Sequence, residues 1–270
     1  MADTTFSPIL NAPDGADAQS DLAECCATLL KQLAARPPRV HAITNAAAQV
    51  FTANLLLAAG AIPSLTHARD EAAAFAARAD ALLINLGTLD EERKTAIPLA
   101  IAAAREAGRP FVLDPVFVDR SPPRLAFARV LLAQRPAIVR CNAAEFEALT
   151  DAPADPDRLR REAQLRGCVI ALTGPVDRIT DGERLIEIHN GHPLMARVTA
   201  MGCAGTALLA AFASRADDAL IAAASGLLAL GIAGEIAGSR AQGPGSFQPA
   251  FLDALYGLDG ATIAQSARTA

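Results

Sequence analysis

Short apolar runs alternate with longer Ala- and Leu-rich stretches through most of this chain, and no other feature restricts its fold as tightly. The runs are Val40-His41-Ala42-Ile43, Ala81-Leu82-Leu83-Ile84-Asn85, Phe111-Val112-Leu113-Asp114, Ala137-Ile138-Val139-Arg140 and Cys168-Val169-Ile170-Ala171-Leu172. They are apolar throughout instead of alternating with polar residues, so they read as strands buried on both faces. The intervening stretches predict helices over 46–59, 90–107 and 124–133, with another starting near Asn142. Gly60 and Gly108 stop the first two. Repetition of this kind implies an α/β fold: three layers, with a central, mostly parallel sheet flanked by helices on both faces. Ligands of such sheets collect beyond the carboxyl ends of the strands. After Leu172 the pattern changes. Ile179-Thr180 and Leu185-Ile186-Glu187-Ile188 flank Asp181-Gly182, a hairpin signature. From Cys203 onward the chain reads as nearly all helix.

With 270 residues, 52% of them hydrophobic, the chain can bury a large core. No linker or repeat divides it, which predicts a single domain over 21–270. Residues 1–20 are polar and read as a flexible arm. They lack the basic start and apolar centre of a secretory signal. The uncharged, apolar stretch from Ala219 to Gly234 falls short of the ~20 residues of a bilayer span and reads as a buried helix. No membrane partner is expected. A net charge of −5 and the lack of a Lys/Arg-rich run give no sign of a nucleic-acid surface. The five cysteines, Cys25, Cys26, Cys141, Cys168 and Cys203, are odd in number and irregularly spaced. They read as free thiols in a reducing compartment, the cytoplasm.

Several segments have the composition of a site, and each has a structural reading beside it. In Thr199-Ala200-Met201-Gly202-Cys203-Ala204-Gly205-Thr206, small and polar residues open a long helix. The first amides of a helix lack internal partners and form an anion hole for phosphate, here over Ala200 to Cys203. Cys203 in that field is expected to have a lowered pKa. The structural alternative is a cap by Thr199 and a buried, inert cysteine. Asn142 and Glu145 face the same way and suit water around Mg²⁺, or else form a capping box; the two roles are compatible. Asp114-Pro115 ends a strand, where sites form, or is a plain turn. Thr173-Gly174 lies against a nucleotide phosphate or makes a tight turn. Asn45 binds substrate or caps the following helix. Ser246, in Gly243-Pro244-Gly245-Ser246-Phe247, is expected to cap the last long helix. His189 and His192 read as loop residues rather than bases.

Taken in order and spacing, these pieces resemble the hydroxyethylthiazole kinase family of the ribokinase-like superfamily. The likeness runs from about Val40 to Leu258. It is carried by Val40 to Asn45, Ile84-Asn85-Leu86-Gly87-Thr88-Leu89, Leu113-Asp114-Pro115-Val116 and Arg140 to Glu145. Thr173-Gly174-Pro175-Val176-Asp177, Asp181 to Arg184, Asn190 to Met195, Arg197-Val198-Thr199, Gly243 to Phe247 and Phe251 to Tyr256 continue it. The resemblance implies transfer of a phosphoryl group from ATP, with Mg²⁺, to 4-methyl-5-(2-hydroxyethyl)thiazole in thiamine salvage. It implies Cys203 as the catalytic base where related enzymes carry aspartate, and Arg140 and Thr173 as ATP-binding. It places Asp114 and Glu145 near the metal and phosphates, and Asn45, Leu65 and Ala200 in the substrate pocket. It also implies a homotrimer with active sites at subunit interfaces.

The chain departs from the family pattern at three places. Leu65 stands where Met is usual. Ala200-Met201 replaces Gly-Thr in the anion loop. Phe117-Val118-Asp119-Arg120 replaces a Gly-rich stretch. A left-handed backbone at Ala200 costs roughly 1–2 kcal/mol. Two rival functions follow from the same superfamily: a lyase that dehydrates hydrated nicotinamide cofactors with ATP or ADP, and a degenerate, non-catalytic binding protein.

Overall fold

The computed structural model describes residues 15–270, with side chains from Asp21 onward. Eight strands form one sheet in the order β2-β1-β3-β4-β5-β6-β7-β8. They are β1 (Arg39–Ile43), β2 (Ile62–Ser64), β3 (Ala81–Asn85), β4 (Phe111–Asp114), β5 (Ile138–Asn142), β6 (Val169–Thr173), β7 (Asp177–Thr180) and β8 (Leu185–Ile188). The first six are parallel, and the β7–β8 hairpin adds antiparallel to β6. All five expected strands and the hairpin are present, within a residue or two at their ends.

Side chains along each strand point alternately to two separate cores. Val40, Ala42, Leu83 and Val112 face one; Ile43, Leu82, Ile84 and Leu113 face the other. Because both faces are buried, the strands show no polar alternation. Helices α1 (Gly15–Ala35), α2 (Gln49–Ala58), α8 (Met201–Ala213), α9 (Ala219–Arg240), α10 (Pro244–Tyr256) and α11 (Gly260–Ser266) cover the first face. Helices α3 (Ala72–Arg78), α4 (Glu91–Glu106), α5 (Pro122–Leu132), α6 (Ala143–Thr150) and α7 (Pro156–Arg166) cover the second. The three layers match the expected fold class.

Sequence signals placed most helices correctly. Asp90 caps α4 by accepting from the Arg93 amide, and Asp218 caps α9. Helix α9 is long and apolar enough to cross a membrane, yet 78% of its apolar window is buried in the core. Some expectations need correction. The helix expected from 46 begins at Gln49, because the Asn45 side chain is engaged elsewhere and does not cap it. Strand β2 and helix α3 were not foreseen: both are short, and Pro63 interrupts the apolar pattern of β2. Ser246 is not the cap of α10. It sits inside the first turn, and its hydroxyl accepts from the Gln242 amide, while Gly243 holds the cap position. Helix α1 already includes residues 15–20 of the segment expected to be an arm; residues 1–14 lie outside the described residues.

One topological detail positions the site. From β1 the chain crosses to β2 on one side, and then β3 pairs with β1 on the other. A crevice therefore opens between the carboxyl ends of β1 and β3. Asn45 follows β1 and Asn85 ends β3, so two amide side chains flank this crevice.

Candidate active site

Helix α8 runs against β1, β3 and β4, with its amino end at the carboxyl ends of those strands. No side chain caps it, so Thr199 is not a cap. The amides of Gly202 and Cys203 have no partner, and that of Met201 reaches the Val198 carbonyl only at 3.4 Å. Unpaired donors at the positive end of a helix attract an anion. Ala200 opens the turn at φ 66°, the left-handed conformation.

A cavity of about 670 Å³ lies against this turn, lined by Met201, Gly202, Gly205 and Thr206. Arg140 from β5 and Thr173 from β6 line the same cavity. The Arg140 guanidinium packs so closely on Gly202 that a Cβ there would lie 2.8 Å from its Nη1. A larger residue at 202 would displace this guanidinium from its place beside the helix amides. Gly174 donates its amide to Asp177 Oδ1 at 2.9 Å, and both residues line the cavity. Burial pushes the Asp177 carboxyl up to about 6. His192 accepts from the Leu194 amide and stacks on Phe247, which makes it a loop-shaping residue.

Cys203 is one residue further along and turns away from that cavity, half-buried, toward the β1–β3 crevice. Its sulfur accepts from Asn45 Nδ2 at 3.3 Å. Asn45 Nδ2 also donates to Asn85 Oδ1 at 3.0 Å, and Asn85 Nδ2 donates to Asp114 Oδ2 at 2.8 Å. Thr206 Oγ1 donates to the same Asp114 oxygen at 2.9 Å. A buried polar line thus runs from Cys203 through Asn45, Asn85 and Asp114 back to α8. Asn85 and Thr206 were assigned no role from sequence. Signals existed for both: Asn85 is a polar end to a fully buried strand, and Thr206 follows Cys203 at helical spacing (i, i+3).

The acidic pair divides. Asp114 is fully buried, and its Oδ1 has no partner. Burial pushes its carboxyl up to about 6, against the pull of Arg140. Glu145 closes the capping box with Asn142, accepting from the Asn142 amide, and its other oxygen accepts from the Phe117 amide. The Phe117 loop that replaces the Gly-rich stretch is pinned in this way. Leu65, on the loop after β2, is partly buried against the first core and does not line the cavity.

The model of the hydroxyethylthiazole kinase family matches residues 30–260. The chain belongs to this family. A hydroxyethylthiazole kinase from Granulibacter bethesdensis is 46% identical over 260 residues, covering 92% of this chain and 95% of the relative. The solved hydroxyethylthiazole kinase of Pyrococcus horikoshii superposes with a TM-score of 0.87 at 34% identity, covering 92% of this chain and 98% of that one. A ribokinase-like superfamily protein from Enterococcus faecalis, 15% identical, superposes with a TM-score of 0.63 over 81% of this chain and 86% of its own length. That likeness establishes the ribokinase-like fold.

Within the hydroxyethylthiazole kinase family, the cysteine opening α8 departs from the sequence expectation. Its thiol is pushed up to about 11, not lowered. Burial is the main cause, and the charge of Asp114 adds to it; donation from Asn85 and Asn45 pulls the other way without prevailing.

Proposed function

We propose that the protein transfers the γ-phosphoryl group of ATP to the hydroxyl of 4-methyl-5-(2-hydroxyethyl)thiazole, in thiamine salvage. The observation that carries this reading is the uncapped α8 turn, with Arg140 on Gly202 on one side and Cys203 facing Asn45 on the other. The two sides suit a polyphosphate and an acceptor alcohol that meet at one set of amides. The amides of Gly202 and Cys203 hold the transferring group, and Arg140 neutralises phosphate charge. Thr173 contacts the nucleotide. Asn45, Leu65 and Ala200 line the thiazole side. Family membership argues against the dehydratase alternative.

Mg²⁺ is the expected companion of ATP. Among the described residues no group of three or more His, Cys, Asp or Glu makes an ion site by itself. The fit lies instead in Asp114, whose buried Oδ1 lacks a partner and suits a cation or its water shell. Glu145, with an amide on each oxygen, acts through its charge and by holding the Phe117 loop. The ion would supply charge neutralisation on the phosphates.

Cys203 accepts the alcohol proton as transfer proceeds, and must first be a thiolate. A thiol titrating at about 11 is protonated at neutral pH. Activity should therefore rise with pH, about tenfold per unit while the thiolate is scarce. The five free thiols suit a cytoplasmic protein. A homotrimer is expected, with the thiazole side completed by a neighbour.

A panel of azole and pyrimidine alcohols with Mg-ATP, read by detection of phosphorylated product, tests the function. The thiazole alcohol should be the preferred acceptor. Cys203→Ala should lower kcat more than it raises KM. Cys203→Asp should retain activity and lose the alkaline rise. Equal turnover by the alanine variant would remove Cys203 from the mechanism, and no turnover of any acceptor would leave a binding protein.

A further inference from the structure

Asn85 is fully buried at the β1–β3 crevice, and its hydrogen bonds determine which way its amide points. Its Oδ1 accepts from the backbone amide of Gly87 at 3.0 Å. A backbone N–H can only donate, so the oxygen must face Gly87 and the nitrogen must face Asp114. The same Oδ1 accepts from Asn45. That in turn settles Asn45: its nitrogen serves Asn85 and Cys203, and its own Oδ1 is left as the unused acceptor of the amide. Gly87 also presses on Asn45, since a Cβ at Gly87 would lie 2.7 Å from Asn45 Cβ. Arg124 holds this segment by donating to the Gly87 carbonyl at 3.0 Å and to that of Val116 at 2.9 Å.

We propose that Asn85 is a positioning residue for the acceptor alcohol: it holds the Asn45 amide with its nitrogen on Cys203 and its oxygen free to accept from the substrate hydroxyl. The polarity originates in a backbone N–H and passes through two side-chain amides to the reacting end of the site. Rotation of Asn45 would place its oxygen against the sulfur and against the Asn85 oxygen. The role rests on the thiazole-alcohol reaction proposed above.

A double-mutant cycle on kcat/KM for the thiazole alcohol tests it. Asn85→Ala and Asn45→Ala should each lower kcat/KM about tenfold, and the double variant by no more than the larger single loss. A second measurement leaves Asn85 in place and so does not depend on its variant folding. Asn45→Asp sets a carboxylate oxygen against the fixed Asn85 oxygen and should be less active than Asn45→Ala. Losses that multiply in the double variant, or an aspartate variant as active as the alanine one, overturn the role of Asn85. If the unaltered protein fails to phosphorylate the alcohol, the functional reading falls first and takes this inference with it.

Discussion

Ala200 and Cys203 show how far a residue's chemistry can be read from its neighbours in the chain. The resemblance implies glycine at position 200, and the backbone of Ala200 is left-handed, at φ 66°. The Cys203 thiol is raised and not lowered, because its burial and the charge of Asp114 come from parts of the chain far away in sequence. Local sequence shows the helix start but not the desolvation of its first turn. The Asn142–Glu145 box was legible because both partners lie within one turn. Ala200 supports a direct prediction. Ala at φ > 0 costs roughly 1–2 kcal/mol, while glycine's extra unfolded-chain entropy returns about half of that. Ala200→Gly should therefore stabilise the protein by about 0.5–1 kcal/mol, or roughly 2 °C in Tm. An unchanged or lower melting temperature would mean that the turn bears no strain.

At the scale of elements, the strands were legible because five of them are apolar on both faces, and the hairpin because Asp-Gly marks its turn. Strand β2 was not, since a three-residue edge strand containing proline has no periodicity to detect. Its place depends on β1, where His41 pairs in register with Ser64. The His41 ring is buried, contacts Ser64 Oγ through Nδ1 at 2.9 Å and stacks on Phe75 of α3. Two unforeseen elements therefore meet at one imidazole. Burial lowers its pKa from 6.5 to about 4. The unfolded chain takes up this proton first, so the contribution of His41 to stability is lost as pH falls from about 6.5 toward 4. Asp114 and Asp177, raised to about 6, act oppositely: the fold holds their protons more tightly and gains stability as pH falls from about 6 toward 3.8. Comparison with His41→Asn, which keeps a side-chain acceptor near Ser64 without titrating, isolates the histidine. Between pH 7 and pH 5 the unaltered protein should lose about 2 kcal/mol relative to the variant in urea denaturation. Parallel pH profiles would show that His41 titrates in the fold as it does in the unfolded chain.

For the whole molecule, the cavity beside Arg140 and the surroundings of Asn45 differ. The cavity beside Arg140 and Thr173 is lined from β5, β6, α8 and α9, whereas Asn45 and Leu65 lie toward the β2 edge of the sheet, beside exposed apolar residues. Val50 and Leu57 lie on one face of α2, 75% and 57% exposed, and Ile62 on edge strand β2 is 47% exposed. Spacing of seven residues puts Val50 and Leu57 on the same side of the helix. An apolar helix face beside an unpaired strand edge is what a subunit contact buries, and an exposed edge of this kind is otherwise a liability. Sequence periodicity cannot tell such a face from core, because both are apolar; exposure in the folded chain distinguishes them. If a neighbouring copy covers this face, it also closes the thiazole side of Asn45 and Leu65, and assembly and acceptor binding fail together. If the proposed homotrimer forms through this face, Leu57→Glu, which places a charge on it, should reduce the mass measured by light scattering to that of one chain. It should raise KM for the thiazole alcohol at least tenfold while leaving nucleotide binding within about twofold. A monomeric variant with unaltered thiazole KM would show that one chain builds the whole acceptor pocket, and that the exposed face has no part in catalysis.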